Sequence, residues 1–206
     1  MPTIPKIAII LGTTRQGRFA DKPAQWILNL AQARTDARFE LIDLRDWPLP
    51  FFDEPAPVAR TPPKNEVAQR WSAKLDEFDG FLFVTAEYNH SIPAVLKNAI
   101  DYAYREFNRK PAAFVAYGGV GGARAVEQLR LIAVEMQLAP LRDAVHIGRA
   151  EFVGMLMEGK SFDDFPHLGA TAQTMLSDLV WWTNALKVAR EADAAAAAPT
   201  PDDDAE

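Results

Sequence analysis

The sequence contains no cysteine among its 206 residues. Disulfides, thiolate metal sites and a thiol nucleophile are therefore excluded. Positive charge is scarce: 22 Lys and Arg against 28 Asp and Glu give a net charge of −6 and a pI of about 5.2, with no basic run or stripe. Binding a nucleic-acid backbone needs a basic surface, so no nucleic-acid partner is expected. No apolar run approaches the roughly 20 residues of a membrane span, and residues 1–6 lead straight into a strand instead of a signal h-region. The expectation is no membrane association and a cytoplasmic location. The three histidines show no metal-ligand spacing, so no metal is expected. What is present is 49% hydrophobic residues, enough for a substantial core, at a length that fits one domain.

Residues 6–11 are apolar throughout, the pattern of a parallel strand covered on both faces. Next comes Gly12-Thr13-Thr14-Arg15-Gln16-Gly17-Arg18, and then a helical stripe of Ala24, Ile27, Leu28 and Ala31, with Asp21 as N-cap and Pro23 in the first turn. A strand, a Gly/Thr/Arg turn and a helix N-terminus in that order can hold a phosphate. Backbone N–H groups converge there, the helix dipole favours negative charge, and hydroxyls and guanidinium groups can complete the shell. The turn has neither the Gly-Lys-Ser/Thr ending of a triphosphate loop nor the three spaced glycines of a dinucleotide fingerprint, so a monophosphate fits better. The plain alternative is a solvated turn with surface arginines.

A second strand is expected at 39–44, followed by an irregular stretch at 46–63 with six prolines, either a rigid crossing or a ligand-contacting loop through Trp47, Phe51 or Phe52. Asn65 can cap a helix carrying Val67, Trp71, Leu75 and Phe78, and residues 80–85 read as a third strand. At its end stands Thr85-Ala86-Glu87-Tyr88-Asn89-His90-Ser91-Ile92-Pro93, before a helix expected at 94–107. A fourth strand at 112–117 runs into Gly118-Gly119-Val120-Gly121-Gly122, where four glycines let backbone approach a flat ligand. A helix at 125–137, a fifth strand at 138–148 after a break at Pro140, loop-like residues 151–166 and a last helix at 168–189 complete the pattern. Residues 191–206 hold too little hydrophobic content to fold and are expected to be a disordered tail beyond a single domain at 1–190. The alternation predicts an α/β fold: a doubly wound five-stranded parallel sheet with helices on both faces and a binding crevice at the carboxyl ends of the strands.

Three loops, after strands one, three and four, thus converge on one crevice in the flavodoxin-like arrangement. Gly12 to Arg18, Glu87-Tyr88-Asn89-His90-Ser91-Ile92-Pro93 with Leu96-Lys97-Asn98-Ala99-Ile100-Asp101, and Tyr117-Gly118-Gly119-Val120-Gly121-Gly122 together resemble the NADPH-dependent FMN reductases, a group that includes quinone, chromate and azo-dye reductases. The resemblance covers residues 6–148. It implies FMN as cofactor, with Gly12, Thr13, Thr14, Arg15, Gly17 and Arg18 around the phosphate. Ala86, Glu87, Tyr88, Asn89, His90 and Ser91 would lie along the flavin, and Tyr117, Gly118, Gly119, Val120 and Gly121 would present backbone N–H groups to its ring. Ala86 stands where the family usually has Pro, which leaves that loop less stiff.

The resemblance further implies that NADPH or NADH delivers hydride to flavin N5, from which electrons pass to a small acceptor, with no catalytic side chain required. His90 reads as a hydrogen-bonding loop residue, while His146 and His167 lie far off in sequence. A homodimer or homotetramer is also implied, with the helices after strands three and four near the interface and Tyr102, Tyr104, Phe107, Trp181 and Trp182 as candidate anchors. The competing reading is a flavodoxin-type electron carrier with a protein partner, against which the two arginines of the first loop speak.

Overall fold

A computed structural model describes residues 3–197 of the chain. The elements run β1 (Lys6–Leu11), α1 (Asp21–Gln32), β2 (Arg38–Asp43), α2 (Glu66–Asp76), β3 (Gly80–Ala86), α3 (Ala94–Asp101), β4 (Pro111–Tyr117), α4 (Ala123–Glu135), β5 (Ala139–Ile147), α5 (Arg149–Met157) and α6 (Pro166–Ala197). All strand pairs are parallel in the order β2-β1-β3-β4-β5, the flavodoxin-like sheet. The chain passes from β1 to β2 on one side and then crosses to β3 on the other. Between β1 and β3 the crossover helices therefore leave to opposite faces and open a crevice.

β3 and β4 are buried at every position, which is why they read as unbroken apolar runs. Alternate residues serve different layers: Phe81, Phe83 and Phe114 pack with Trp71 under α2 to α4, while Leu82, Val84 and Val115 pack with Ile27 and Leu179 under α1 and α6. Asn65 caps α2 by accepting from the N–H groups of Val67 and Ala68.

The structure differs from the sequence reading at five places. Asp21 is the first residue of α1 and not its cap, since its carboxylate is taken by Arg18. The third helix stops at Asp101, six residues early; the Tyr104 N–H goes to the Glu106 carboxylate, and Tyr102, Ala103 and Phe107 turn inward in a series of turns. Pro140 lies within β5, an edge strand beside a register shift, where its missing N–H is tolerated. Residues 149–157 form α5, where 151–166 was expected to be loop-like. The last helix continues past residue 190 to Ala197 through an alanine-rich stretch with an Arg109–Asp193 ion pair. The remainder of the expected tail, 198–206, lies outside the described residues.

Candidate functional site

Two carbonyls of the first loop are held by arginine side chains. Arg18 donates to the Thr13 carbonyl, and Arg45 donates to the Arg15 carbonyl at 2.7 Å. Among the described residues, none of the N–H groups of residues 13–17 has a hydrogen-bond acceptor, whereas Gly12 N–H is bonded to Val84 and Arg18 N–H to Arg15. The Thr13 hydroxyl is buried and is the one buried side-chain polar atom without a partner there. Buried polar groups are otherwise almost always satisfied, so free N–H groups with an orphaned hydroxyl form a cradle for an anion. Arg15, exposed, keeps its guanidinium free beside it.

Arg18 is a different kind of residue. Its side chain is only 2% exposed, and its Nε and both terminal nitrogens are bonded to Asp21, Asp43 and the Thr13 carbonyl. A guanidinium has five N–H donors, and all five are committed. Asp43 also accepts from Arg45 N–H at 2.9 Å, so the end of β2 holds both arginines that hold the loop. Burial pushes the Asp43 carboxyl up, but the Arg18 and Arg45 contacts outweigh it and leave the pKa below the usual carboxylate range.

At the end of β3, Tyr88 and Ser91 exchange backbone hydrogen bonds at 2.9 and 3.1 Å across a tight turn whose central residues, Asn89 and His90, both have positive φ. That turn carries the Asn89 and His90 side chains outward into solvent. Glu87 points the other way. Its carboxylate accepts from Arg124 Nε at 2.6 Å and from Arg124 N–H at 3.2 Å, which caps α4, whose N-cap Gly122 has no side chain to do so.

Gly122 sits at φ +68°, and a Cβ there would lie 2.6 Å from Ala116 Cβ and 2.8 Å from Tyr117 N, so no other residue fits. Gly119 has no such constraint: a Cβ would meet nothing within 4 Å. The N–H groups of Gly119 and Val120 have no acceptor among the described residues. His146, distant in sequence, lies beneath this loop with Nδ1 3.0 Å from the Gly121 carbonyl. A carbonyl only accepts, so Nδ1 carries the proton.

These loops enclose a cleft of about 470 Å³. Arg15, Gly17, Arg18, Ala86, Glu87, Tyr88, Tyr117, Gly118 and Gly119 line it, as the sequence reading expected. Gly12, Thr13, Thr14, Asn89, His90, Ser91, Val120 and Gly121 do not line it; Gly12 and Thr13 are the buried residues of the loop that borders it, and the Asn89–His90 tip is exposed to solvent. The sequence reading missed Phe19 and the α5 residues Arg149, Phe152, Val153 and Leu156, which form the remaining wall. Phe19, Tyr117 and Phe152 pack together, with Phe19 edge-on to both at 5.0 and 4.7 Å. Burial pushes the Tyr117 phenol well above its ordinary value, so it stays neutral. A second hollow of about 470 Å³, under Phe52, Val58, Tyr104 and Met136, has Glu54, Asp101 and Glu135 among its lining residues and none of the free N–H groups, and so does not suit an anion.

Residues 5–152 match the sequence pattern of the NADPH-dependent FMN reductase family. An NAD(P)H-dependent FMN reductase of Schizosaccharomyces pombe is 39% identical over 153 residues, which cover 72% of this chain and 76% of the relative. An NAD(P)H:quinone oxidoreductase of Solanum tuberosum is 38% identical over 142 residues, 65% of this chain and 69% of the relative. Among solved structures, FerB, a flavoenzyme NAD(P)H:(acceptor) oxidoreductase from Paracoccus denitrificans, superposes with a TM-score of 0.67 at 24% identity over 88% of this chain and 98% of its own, a likeness of fold.

Proposed function

The chain belongs to the NADPH-dependent FMN reductase family, and from that premise we propose that the cleft holds FMN with its phosphate in the cradle of residues 12–17. The chain is an FMN-dependent NAD(P)H oxidoreductase and not a flavodoxin-type carrier: the relatives that it matches are FMN reductases and quinone reductases. The observation that supports the phosphate assignment is the run of unpaired N–H groups at 13–17, next to the orphaned Thr13 hydroxyl and the free Arg15 guanidinium. Bound FMN supplies hydride acceptance from NAD(P)H and electron delivery to the second substrate.

The chain's own groups bind, orient and exclude water. Arg15, the Thr13 hydroxyl and the loop N–H groups neutralise the phosphate, each a charge-assisted bond. Arg18 and Arg45 hold the loop by its carbonyls, and because all five Arg18 donors are committed we infer that it positions the loop in place of binding the phosphate directly. The free N–H of Gly119, which lines the cleft just ahead of α4, would stabilise negative charge on the polar edge of the ring. Glu87 keeps that helix start in place through Arg124. Tyr88, Tyr117 and Phe152 give the flat apolar surface on which rings stack.

The acceptor is a small planar oxidant, a quinone or a flavin, taking the donor's place in the cleft. The protein works in the cytoplasm as a homodimer or homotetramer. Tyr102 and Phe107 are fully buried core residues and leave the list of anchors, whereas exposed Leu131 and Val134 on α4, with Trp181 and Trp182 on α6, support a contact through those helices. The test is an absorption spectrum of the purified protein after FMN loading and gel filtration. Retained bands near about 370 and 450 nm with NADPH-dependent quinone reduction support the reading, and a colourless protein without turnover contradicts it.

A further inference from the structure

Two guanidinium groups in the cleft have neither carboxylate nor hydrogen-bond acceptor among the described residues: Arg15, and Arg149 at the start of α5. The lining's single carboxylate, Glu87, is held by Arg124, and its third cation, Arg18, is fully committed. The cleft therefore carries two uncompensated positive charges in a protein of net charge −6. FMN brings one phosphate, and the free N–H groups place it at Arg15. Arg149 follows β5, three strand spacings from β1 in the sheet order, so the two strand ends stand roughly 14 Å apart. The second cation faces a different anion.

Arg149, Phe152, Val153 and Leu156 fall at i, i+3, i+4 and i+7, one face of α5, and all four line the cleft. A cation followed by an apolar strip suits a molecule with a phosphate next to a flat ring. The helix is anchored for the purpose: Lys22 donates to the Met155 carbonyl at 2.9 Å, Met155 is buried, and beyond the helix Phe162 stacks on Trp26 at 4.2 Å.

We propose that Arg149 binds a phosphate of the pyridine dinucleotide that donates hydride, with the apolar face of α5 against one of its rings. The inference rests on the FMN reading above. The phosphate is either the 2′-phosphate of NADPH or the pyrophosphate shared with NADH. Flavin-loaded wild type, Arg149→Ala and Arg149→Lys are titrated calorimetrically with NADP⁺ and NAD⁺, and steady-state constants are measured for NADPH, NADH and uncharged benzoquinone. Arg149→Ala weakens NADP⁺ about tenfold, the fall expected on losing one charge-assisted bond at an exposed site. Arg149→Lys recovers most of it, and the loss appears in the NADPH KM and not in the benzoquinone KM. Unchanged NAD⁺ affinity identifies the 2′-phosphate, and an equal fall identifies the pyrophosphate. Unchanged NADP⁺ affinity overturns the proposal, as does an equal loss for FMN or benzoquinone, which makes Arg149 a residue that only shapes the cleft. A wild type that takes up no FMN defeats the underlying reading instead.

Discussion

Two glycines within the four residues before one helix illustrate how residue-scale geometry separates packing from binding. Gly122 is required by its own protein: positive φ costs an alanine about 1 kcal/mol, and its Cβ would overlap Ala116. Gly122→Ala is expected to lose roughly 2 kcal/mol or more, a melting-temperature drop of about 4–8 °C in calorimetry. Gly119 faces open space, so Gly119→Val should melt with the wild type yet bind FMN at least about tenfold more weakly, because only a ligand meets the added methyls. A variant with normal flavin affinity would show that this face of the loop is empty of function. Lys110 gives a second residue-scale expectation. Burial, with a smaller push from Arg190, brings its ammonium down to about 8, and its Nζ sits 5.7 Å from the Phe81 ring with no carboxylate bonded to it. A base whose folded pKa lies below its unfolded value near 10.4 is penalised while charged, so stability rises between about pH 8 and 10. Lys110→Met should therefore raise the melting temperature at pH 7 by about 5 °C and remove that rise; an unchanged pH profile would place the ammonium in water.

At the scale of elements, the end of β2 governs the phosphate loop that belongs to β1. Asp43 supports Arg18 and Arg45, which bond the Thr13 and Arg15 carbonyls, and removing its charge leaves the buried Arg18 guanidinium short of a partner. Asp43→Asn is expected to lose about 2 kcal/mol at pH 7, or 4–8 °C, and to weaken FMN several-fold without touching it. The sign with pH follows from the depressed carboxyl: its contribution is full above the unfolded value near 4 and is lost as pH falls through the lower folded value. Wild type and variant should therefore converge in melting temperature below about pH 4, and parallel curves would assign the loss to something other than charge.

How legible such elements were in the sequence depended on range. The βα alternation and the capped start of α2 are local patterns and were readable; so was the place at the cleft of Arg15, Gly118 and Gly119, which adjoin strand ends. The commitment of Arg18 was not, because its partner Asp43 is 25 residues away. His146 reaches the glycine loop only through β4–β5 pairing. α5 was missed because its apolar residues 152, 153, 155, 156 and 157 are nearly contiguous. Phe152, Val153 and Leu156 serve the cleft, Met155 the core, and Met157 faces solvent, so they leave no single stripe.

For the whole molecule, assembly and cofactor are separable expectations. Leu131→Glu combined with Val134→Glu on α4 should shift sedimentation toward the monomer while leaving the helix folded, since both side chains are exposed. An unchanged oligomer would move the contact elsewhere. The cofactor reading rests on the loop at residues 12–17 being a phosphate site, and the direct measurement is the affinity of wild type and Arg15→Ala for FMN and for riboflavin, titrated by fluorescence at two ionic strengths. The two flavins share a ring and differ in the phosphate. An Arg–phosphate bond contributes about 1.5–3 kcal/mol, so Arg15→Ala should weaken FMN by roughly 10- to 150-fold and flatten its salt dependence while leaving riboflavin within about twofold of wild type. Equal losses for both flavins, or no loss for either, would contradict the phosphate site.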